Sequence, residues 1–257
     1  MKNIGFVLSG GGIRALAHAG LLQALSEENI KPSILSGTSG GALVGGLYAC
    51  GVPPKEMFHF FKKTPVFKFS LVAFGKPGVV DSAKYPELFE KFFPYKTFEE
   101  LQIPLTVTAT NLLTGKLTYF DSGELIKPLT ASAALPPYFS PVKINKTLYC
   151  DGGLLNNFPV EPLKGKCDAV IGSFVNPLEE VDEKGINNIL KFTQRIYSIA
   201  MDAAYYNKFK RCNYVFLPPD IHKINVLDVR MVSKAYEIGY QHAKAEMDMI
   251  LSKIEQA

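Results

Sequence analysis

The sequence predicts an α/β protein built on a mainly parallel sheet, and three observations carry that expectation. An apolar run, Ile4 to Leu8, ends in Ser9-Gly10-Gly11-Gly12, after which Ile13, Leu16, Ala17, Gly20, Leu21, Ala24 and Leu25 recur at helical spacing. The pattern repeats at once, with Ser33 to Ser36 as a short strand, Gly37 to Gly41 as a glycine turn and Ala42 to Cys50 as a small-residue helix. Strand-length runs then alternate with helical stretches, which is an α/β order.

The later strands are read at Leu105 to Ala109, Lys116 to Phe120, Thr147 to Cys150, Ala169 to Phe174 and Tyr214 to Leu217. Long helices are expected near Ile186 to Phe209 and Met231 to Ile254. Between Phe58 and Val80 the texture changes: the segment is rich in Phe and Lys, carries Pro65 and Pro77 and has no clear period, so it reads as an insertion. No solenoid-length repeat and no Gly/Ser- or Pro-rich linker divides the chain, which predicts one domain over residues 1–257.

Composition narrows the class. With 28 Lys+Arg against 24 Asp+Glu the formal net charge is +4, and 47% hydrophobic with 20% charged residues is the make-up of a globular protein. The positive charge forms no basic stripe and no zinc-finger spacing occurs, which argues against nucleic acid as a partner and leaves anionic membrane surfaces open. Cys50, Cys150, Cys167 and Cys212 form no CxxC pair and are read as reduced thiols. Ile4 to Leu8 is too short for a signal-peptide core, and no stretch of about 18 uncharged apolar residues could span a bilayer. The expectation is a cytoplasmic protein, with peripheral membrane contact allowed.

Three motifs could carry chemistry. Gly37-Thr38-Ser39-Gly40-Gly41 is a GxSxG pentapeptide between a predicted strand and a predicted helix. A nucleophilic serine on such a turn needs small neighbours, because the backbone is strained and the attacking oxygen must stand clear; Gly37 and Gly41 meet that need. Ser39 would sit beside free N–H groups at the positive end of a helix dipole. The same residues also suit a glycine-rich turn with Ser39 as N-cap. The second motif, Ser9-Gly10-Gly11-Gly12-Ile13-Arg14, could bind a phosphate or supply an oxyanion hole. Gly10, Gly12 and Ala15 satisfy a GxGxxG/A dinucleotide fingerprint, yet Pro32 to Ser36 lacks the acidic residue that should hold the ribose. Arg14 suits either a phosphate partner or an anchor of the first helix. The third motif, Asp151-Gly152-Gly153, follows the apolar run Leu148 to Cys150, so an acid stands at a strand's end, where open α/β sheets collect ligands.

A serine nucleophile usually takes a histidine as base, and none of the four is well placed. His18 falls on the first helix one turn after Arg14, His59 lies in the Phe/Lys segment, His222 follows a Pro-Pro-Asp turn and His242 sits on a late charged helix. An order of Ser39, Asp151 and then His222 or His242 is formally that of an α/β-hydrolase, although that fold usually places its nucleophile after several strands.

Together the motifs resemble the patatin-like phospholipase family. The GGGIR loop, the GTSGG elbow and the DGG turn occur in the family's order, and HAGLLQAL, ASAALPPYFSP and DGGLLNNFPV are similar to its surrounding segments, over about Ile4 to Val160. Ala15 departs from the pattern, standing where the family often has glycine. The resemblance implies a three-layer α/β/α sandwich and a lipid acyl hydrolase with a serine–aspartate dyad: Ser39 as nucleophile, Asp151 as general base, no histidine, no metal and no cofactor. N–H groups of Gly10, Gly11 and Gly12 would hold the oxyanion. Gly152 and Gly153 would let Asp151 approach, Arg14 and His18 would be support, and Asn156 or Asn157 would fix the loop carrying Asp151. Phe58 to Val80 falls where such proteins vary and is read as a cover touching lipid, with a helix packed on the sheet as the alternative. The substrate would be a phospholipid or related acyl ester. A histidine-dependent soluble carboxylesterase and a glycine-loop nucleotide- or phospholipid-binding module remain the competing readings.

Overall fold

The computed structural model describes residues 2–64, 72–178, 180–202 and 205–257. Among these residues one eight-stranded sheet runs through the molecule. Its strands are β1 (Ile4–Leu8), β2 (Ile34–Gly37), β3 (Leu105–Asn111), β4 (Lys116–Phe120), β5 (Val142–Ile144), β6 (Thr147–Asp151), β7 (Ala169–Ser173) and β8 (Tyr214–Phe216). The spatial order is β5-β6-β3-β2-β1-β7-β8, with β4 also paired to β3. Strands β3, β2, β1, β7 and β8 are mutually parallel, while β4, β5 and β6 join through antiparallel pairs. The sheet is therefore mixed and mostly parallel, as the sequence predicts.

The helices are α1 (Leu16–Glu27), α2 (Gly40–Ala49), α3 (Met57–Lys63), α4 (Tyr85–Phe89), α5 (Ile126–Ser132), α6 (Gly153–Asn156), α7 (Ile189–Asp202), α8 (Tyr206–Phe209), α9 (Val232–Ala245) and α10 (Met247–Glu255). They flank the sheet on both faces. Strand β1 is buried along its whole length, as a central parallel strand must be. Its Phe6 and Leu8 join the large core shared with α1, α2 and α9, and its Val7 joins the opposite core with Phe158 and Leu163. Gly20 and Gly239 bring α1 and α9 into backbone contact, since a Cβ on either would strike the other helix's main chain.

Two sequence expectations need correction. The stretch from 186 to 209 is not one helix: Asn188 caps α7 by accepting the Lys191 N–H on Oδ1 at 3.0 Å, so the helix starts at Ile189, and α8 is a separate short turn. The stretch from 231 to 254 divides at Glu246, whose φ of −103° and ψ of 9° let α10 turn so that Met247, Ile250 and Ile254 face the core. Within the Phe/Lys segment, α3 buries Phe60 and Phe61, while Phe58 sets its ring edge-on to Tyr236 and Phe74 is exposed. Phe67, Lys68 and Phe69, which the cover reading uses, lie outside the described residues.

Candidate active site

Strand β2 ends at Gly37, and two residues later Ser39 takes φ 54° and ψ −127°, a conformation an L-residue adopts only under constraint. The constraint is visible. The Ser39 N–H donates to Ser132 Oγ at 2.8 Å, and the chain folds straight into α2 through bonds from Gly41 and Ala42 to the Thr38 carbonyl. A Cβ on Gly41 would strike the carbonyl oxygens of Leu8 and Ser9, so only glycine lets the turn press against the end of β1. Ser39 is thereby lifted to the carboxyl edge of the sheet with its hydroxyl turned to a cavity.

Asp151 reaches the same edge from the opposite direction. It is the last residue of β6, which runs antiparallel to β3 and pairs Asp151 with Ala109. The sequence places Asp151 at a strand's carboxyl end, and the antiparallel pairing brings that end level with the Ser39 turn. The Ser39 hydroxyl donates to Asp151 Oδ2 at 2.6 Å, and the Gly153 N–H donates to Oδ1 at 2.7 Å. Asp151 is 1% exposed. Burial pushes its pKa up to about 7, against the opposing pull of the Ser39 hydroxyl and the Gly153 N–H. Such a carboxylate is a far better proton acceptor at neutral pH than one in water.

The glycine loop after β1 faces this pair. The Gly10 N–H donates to the Asn157 carbonyl at 3.2 Å, so it is committed to holding the loop, whereas the described hydrogen bonds leave the Gly11 and Gly12 N–H groups unpaired. Both residues line the cavity beside Ser39. Gly12 has φ +56°, and a Cβ there would strike the Val226 carbonyl oxygen. Behind the loop His18 is fully buried, with Nε2 2.9 Å from the Ser9 carbonyl and Nδ1 2.7 Å from Ser173 Oγ. A carbonyl only accepts, so Nε2 carries the proton and Nδ1 accepts from Ser173. Burial lowers the His18 pKa to about 4, which keeps the ring neutral and structural. Arg14 donates from Nε to the Ile224 carbonyl at 2.7 Å and from a terminal nitrogen to the His222 carbonyl at 3.0 Å, tying the 219–226 segment to the loop.

The loop carrying Asp151 is fixed by its two asparagines. Asn156 donates to Glu161 at 2.8 Å and accepts from Lys208 at 2.6 Å, and the Asn156 carbonyl takes the Thr38 hydroxyl at 2.9 Å. Asn157 docks against the glycine loop. Thr108 is sealed beneath, where a Cβ on Gly152 would meet its hydroxyl.

Above Ser39 and Asp151 opens a cavity of about 1150 Å³ including its mouth, walled by Leu43, Phe60, Phe61, Phe89, Leu135 and Phe139. No histidine lines it among the described residues. His222 is exposed and bonded to the Pro219 carbonyl, and His242 lies beside Glu246 and Phe216. The arrangement offers a hydroxyl polarised by a buried carboxylate, unpaired N–H donors beside it and an apolar chamber for a hydrocarbon chain. No group of three or more His, Cys, Asp or Glu that could hold a metal occurs among the described residues.

Residues 6–164 match the family model of the patatin-like phospholipases. The chain belongs to the patatin-like phospholipase family. An uncharacterized NTE family protein of Mycobacterium tuberculosis is 29% identical over 210 residues, covering 77% of this chain and 58% of that protein. A lysophospholipase of the yeast Meyerozyma guilliermondii is 24% identical over 272 residues, 93% of this chain and 19% of that protein. The chain thus spans little more than half of the first relative and about a fifth of the second. The solved structure of VipD from Legionella pneumophila shares the fold with a TM-score of 0.53 at 16% identity, covering 97% of this chain and 67% of that one.

Two further groups take roles at the site that their sequence context does not signal. Ser132, fully buried on α5, holds the Ser39 N–H. Gly40, the first residue of α2, packs its α-carbon against Ala15 and Gly12, and the described hydrogen bonds leave its N–H unpaired at the helix N-terminus. The alanine that departs from the family's glycine pattern fits because Gly40 opposes it.

Proposed function

We propose that this patatin-like chain is a lipid acyl hydrolase, with Ser39 as nucleophile and Asp151 as general base and with phospholipids or related acyl esters as substrates. The observation that carries this reading is the 2.6 Å bond from the Ser39 hydroxyl to the buried Asp151 carboxylate at the floor of an apolar cavity. The family and the lysophospholipase among its relatives support the substrate class.

In the reaction Ser39 Oγ attacks the ester carbonyl carbon as its proton passes to Asp151 Oδ2. The carbonyl oxygen becomes an oxyanion held by N–H donors of the glycine loop, with Gly11 and Gly12 the members whose N–H groups are unspent. Collapse expels the alcohol, which takes the proton from Asp151, and leaves an acyl-serine. Water then gives its proton to Asp151, attacks the acyl carbon and releases the fatty acid, and the proton returns to Ser39 Oγ. Asp151 thus acts in both halves, and its raised pKa suits both accepting and returning a proton near neutrality.

A fluorophosphonate probe tests the reading directly: it should label the chain once, at Ser39, and label Ser39→Ala not at all. Absence of labelling with retained phospholipid binding would make the chain a binding module. Turnover on a soluble ester by Gly12→Ala is expected to fall about a hundredfold, because the Cβ would push the N–H out of line. Full activity in a folded Gly12→Ala protein would remove the loop from the oxyanion role.

A further inference from the structure

Helix α7 turns an apolar stripe to solvent. Ile189, Phe192, Ile196 and Ile199 are 73%, 48%, 51% and 48% exposed, and their three- and four-residue steps put them on one face. A face of this kind marks an interaction site. The other side of the same helix belongs to the catalytic cavity: Gln194, Tyr197 and Ser198 line it, and Gln194 accepts the Tyr138 hydroxyl at 2.9 Å. Along the border between the two faces stand Lys191 and Arg195, one turn apart, both lining a polar recess beside the cavity. Lys191 is held by the Lys184 carbonyl at 3.0 Å, and among the described residues the Arg195 guanidinium has no hydrogen bond or ion pair.

We propose that α7 is the surface by which this chain seats on an anionic lipid bilayer, its apolar stripe among the acyl chains and Lys191 and Arg195 at the head groups. The purpose rests on the lipid hydrolase reading above. An amphipathic helix with this division lies in the plane of an interface, and basic side chains at its edge draw it to anionic lipid. The cationic border selects an anionic surface over a neutral apolar partner. Continuity with the cavity gives the choice its function, because a helix that touches lipid with one face and walls the chamber with the other brings the site next to the substrate's own surface.

The test uses the full chain in a Ser39→Ala background, so that no lipid is consumed, with vesicles of equal parts phosphatidylcholine and phosphatidylglycerol. Phe192→Ser with Ile196→Ser should lower vesicle partition at least about tenfold, since each side chain loses its burial in the acyl region. Thermal melting should be unchanged, as should soluble-ester hydrolysis by the double variant carrying Ser39. Ile189→Ser with Ile199→Ser provides a second pair with the same expectation should the first fold poorly. Lys191→Gln with Arg195→Gln should weaken binding to the mixed vesicles and leave binding to pure phosphatidylcholine as it was. Failure of the parent to bind vesicles, or parental binding by the apolar variants, overturns the proposal. So does a change from dimer to monomer in those variants with vesicle binding unaltered, which would assign the stripe to a second copy of the chain. Loss of the hydrolase reading would show separately, as an unmodified chain that neither takes the fluorophosphonate nor cleaves a soluble ester.

Discussion

Ser39→Ala is expected to lower ester hydrolysis by about a thousandfold or more, and Asp151→Asn to do nearly the same, in proteins that keep the parent's circular dichroism. The geometry gives the reason. Ser39 Oγ has one strong acceptor, Asp151 Oδ2 at 2.6 Å, and no other base lines the cavity among the described residues. An asparagine there holds the hydroxyl but accepts no proton, so the attack loses its base while the binding site stays intact. Groups that act as one unit are not additive, so the double variant should be little worse than either single one. Initial rates on a soluble short-chain ester provide the measurement. Single substitutions of His18, His59, His222 and His242 form the control, with His18 judged only in folded protein because its ring supports the glycine loop. If His222→Ala or His242→Ala in folded protein matched Ser39→Ala, the base would be a histidine and the assignment to Asp151 would have to be given up.

The parts of this site that could be read from the sequence are those whose signal is local. The Gly37-x-Ser39-x-Gly41 turn announces itself because its glycines are required by atoms within one strand and one helix, and the same holds for the glycine loop and the Asp-Gly-Gly turn. What escaped is tertiary. Ser132 lies 93 residues from the Ser39 N–H it holds, on a seven-residue helix that contains Pro128 and has no clear apolar period. The three residues of β5 are too few to show alternation. The family resemblance groups Gly10 with Gly11 and Gly12, and only the Asn157 carbonyl, which takes the Gly10 N–H, separates their roles. The long helices failed for different reasons: Asn188 is a legible N-cap, whereas nothing at Glu246 resembles a helix stop, and the break there follows from the way α10 packs toward β8. The amphipathic stripe of α7 is periodic in sequence, but periodicity alone points it at a core, and its exposure is a property of the fold.

The burial that makes Asp151 a useful base also costs stability, and Asp151→Asn should expose that cost as a gain. In the unfolded chain the carboxyl group ionises near 3.8, while in the fold its pKa is about 7, raised chiefly by burial. The folded state therefore holds a proton that the unfolded state has lost between these two values. The sign follows: the contribution of the protonated group is fully present below about pH 3.8, falls as pH rises through the window and is gone above about pH 7. Three pKa units at 1.36 kcal/mol each put the ceiling near about 4 kcal/mol. Asparagine has no charge to bury, and its amide can still accept from Gly153 and donate to Ser39 Oγ. Urea unfolding should thus find the variant more stable than the parent at pH 8, by up to about that ceiling, with the difference shrinking toward zero near pH 4. The activity of the parent should run the other way, with kcat/KM rising as Asp151 ionises and a midpoint close to 7. A stability difference that did not change with pH would mean the carboxyl group titrates normally, and the raised pKa would then have to be dropped from the mechanism. Agreement of the two midpoints, one from unfolding and one from turnover, would assign both to the same buried carboxylate.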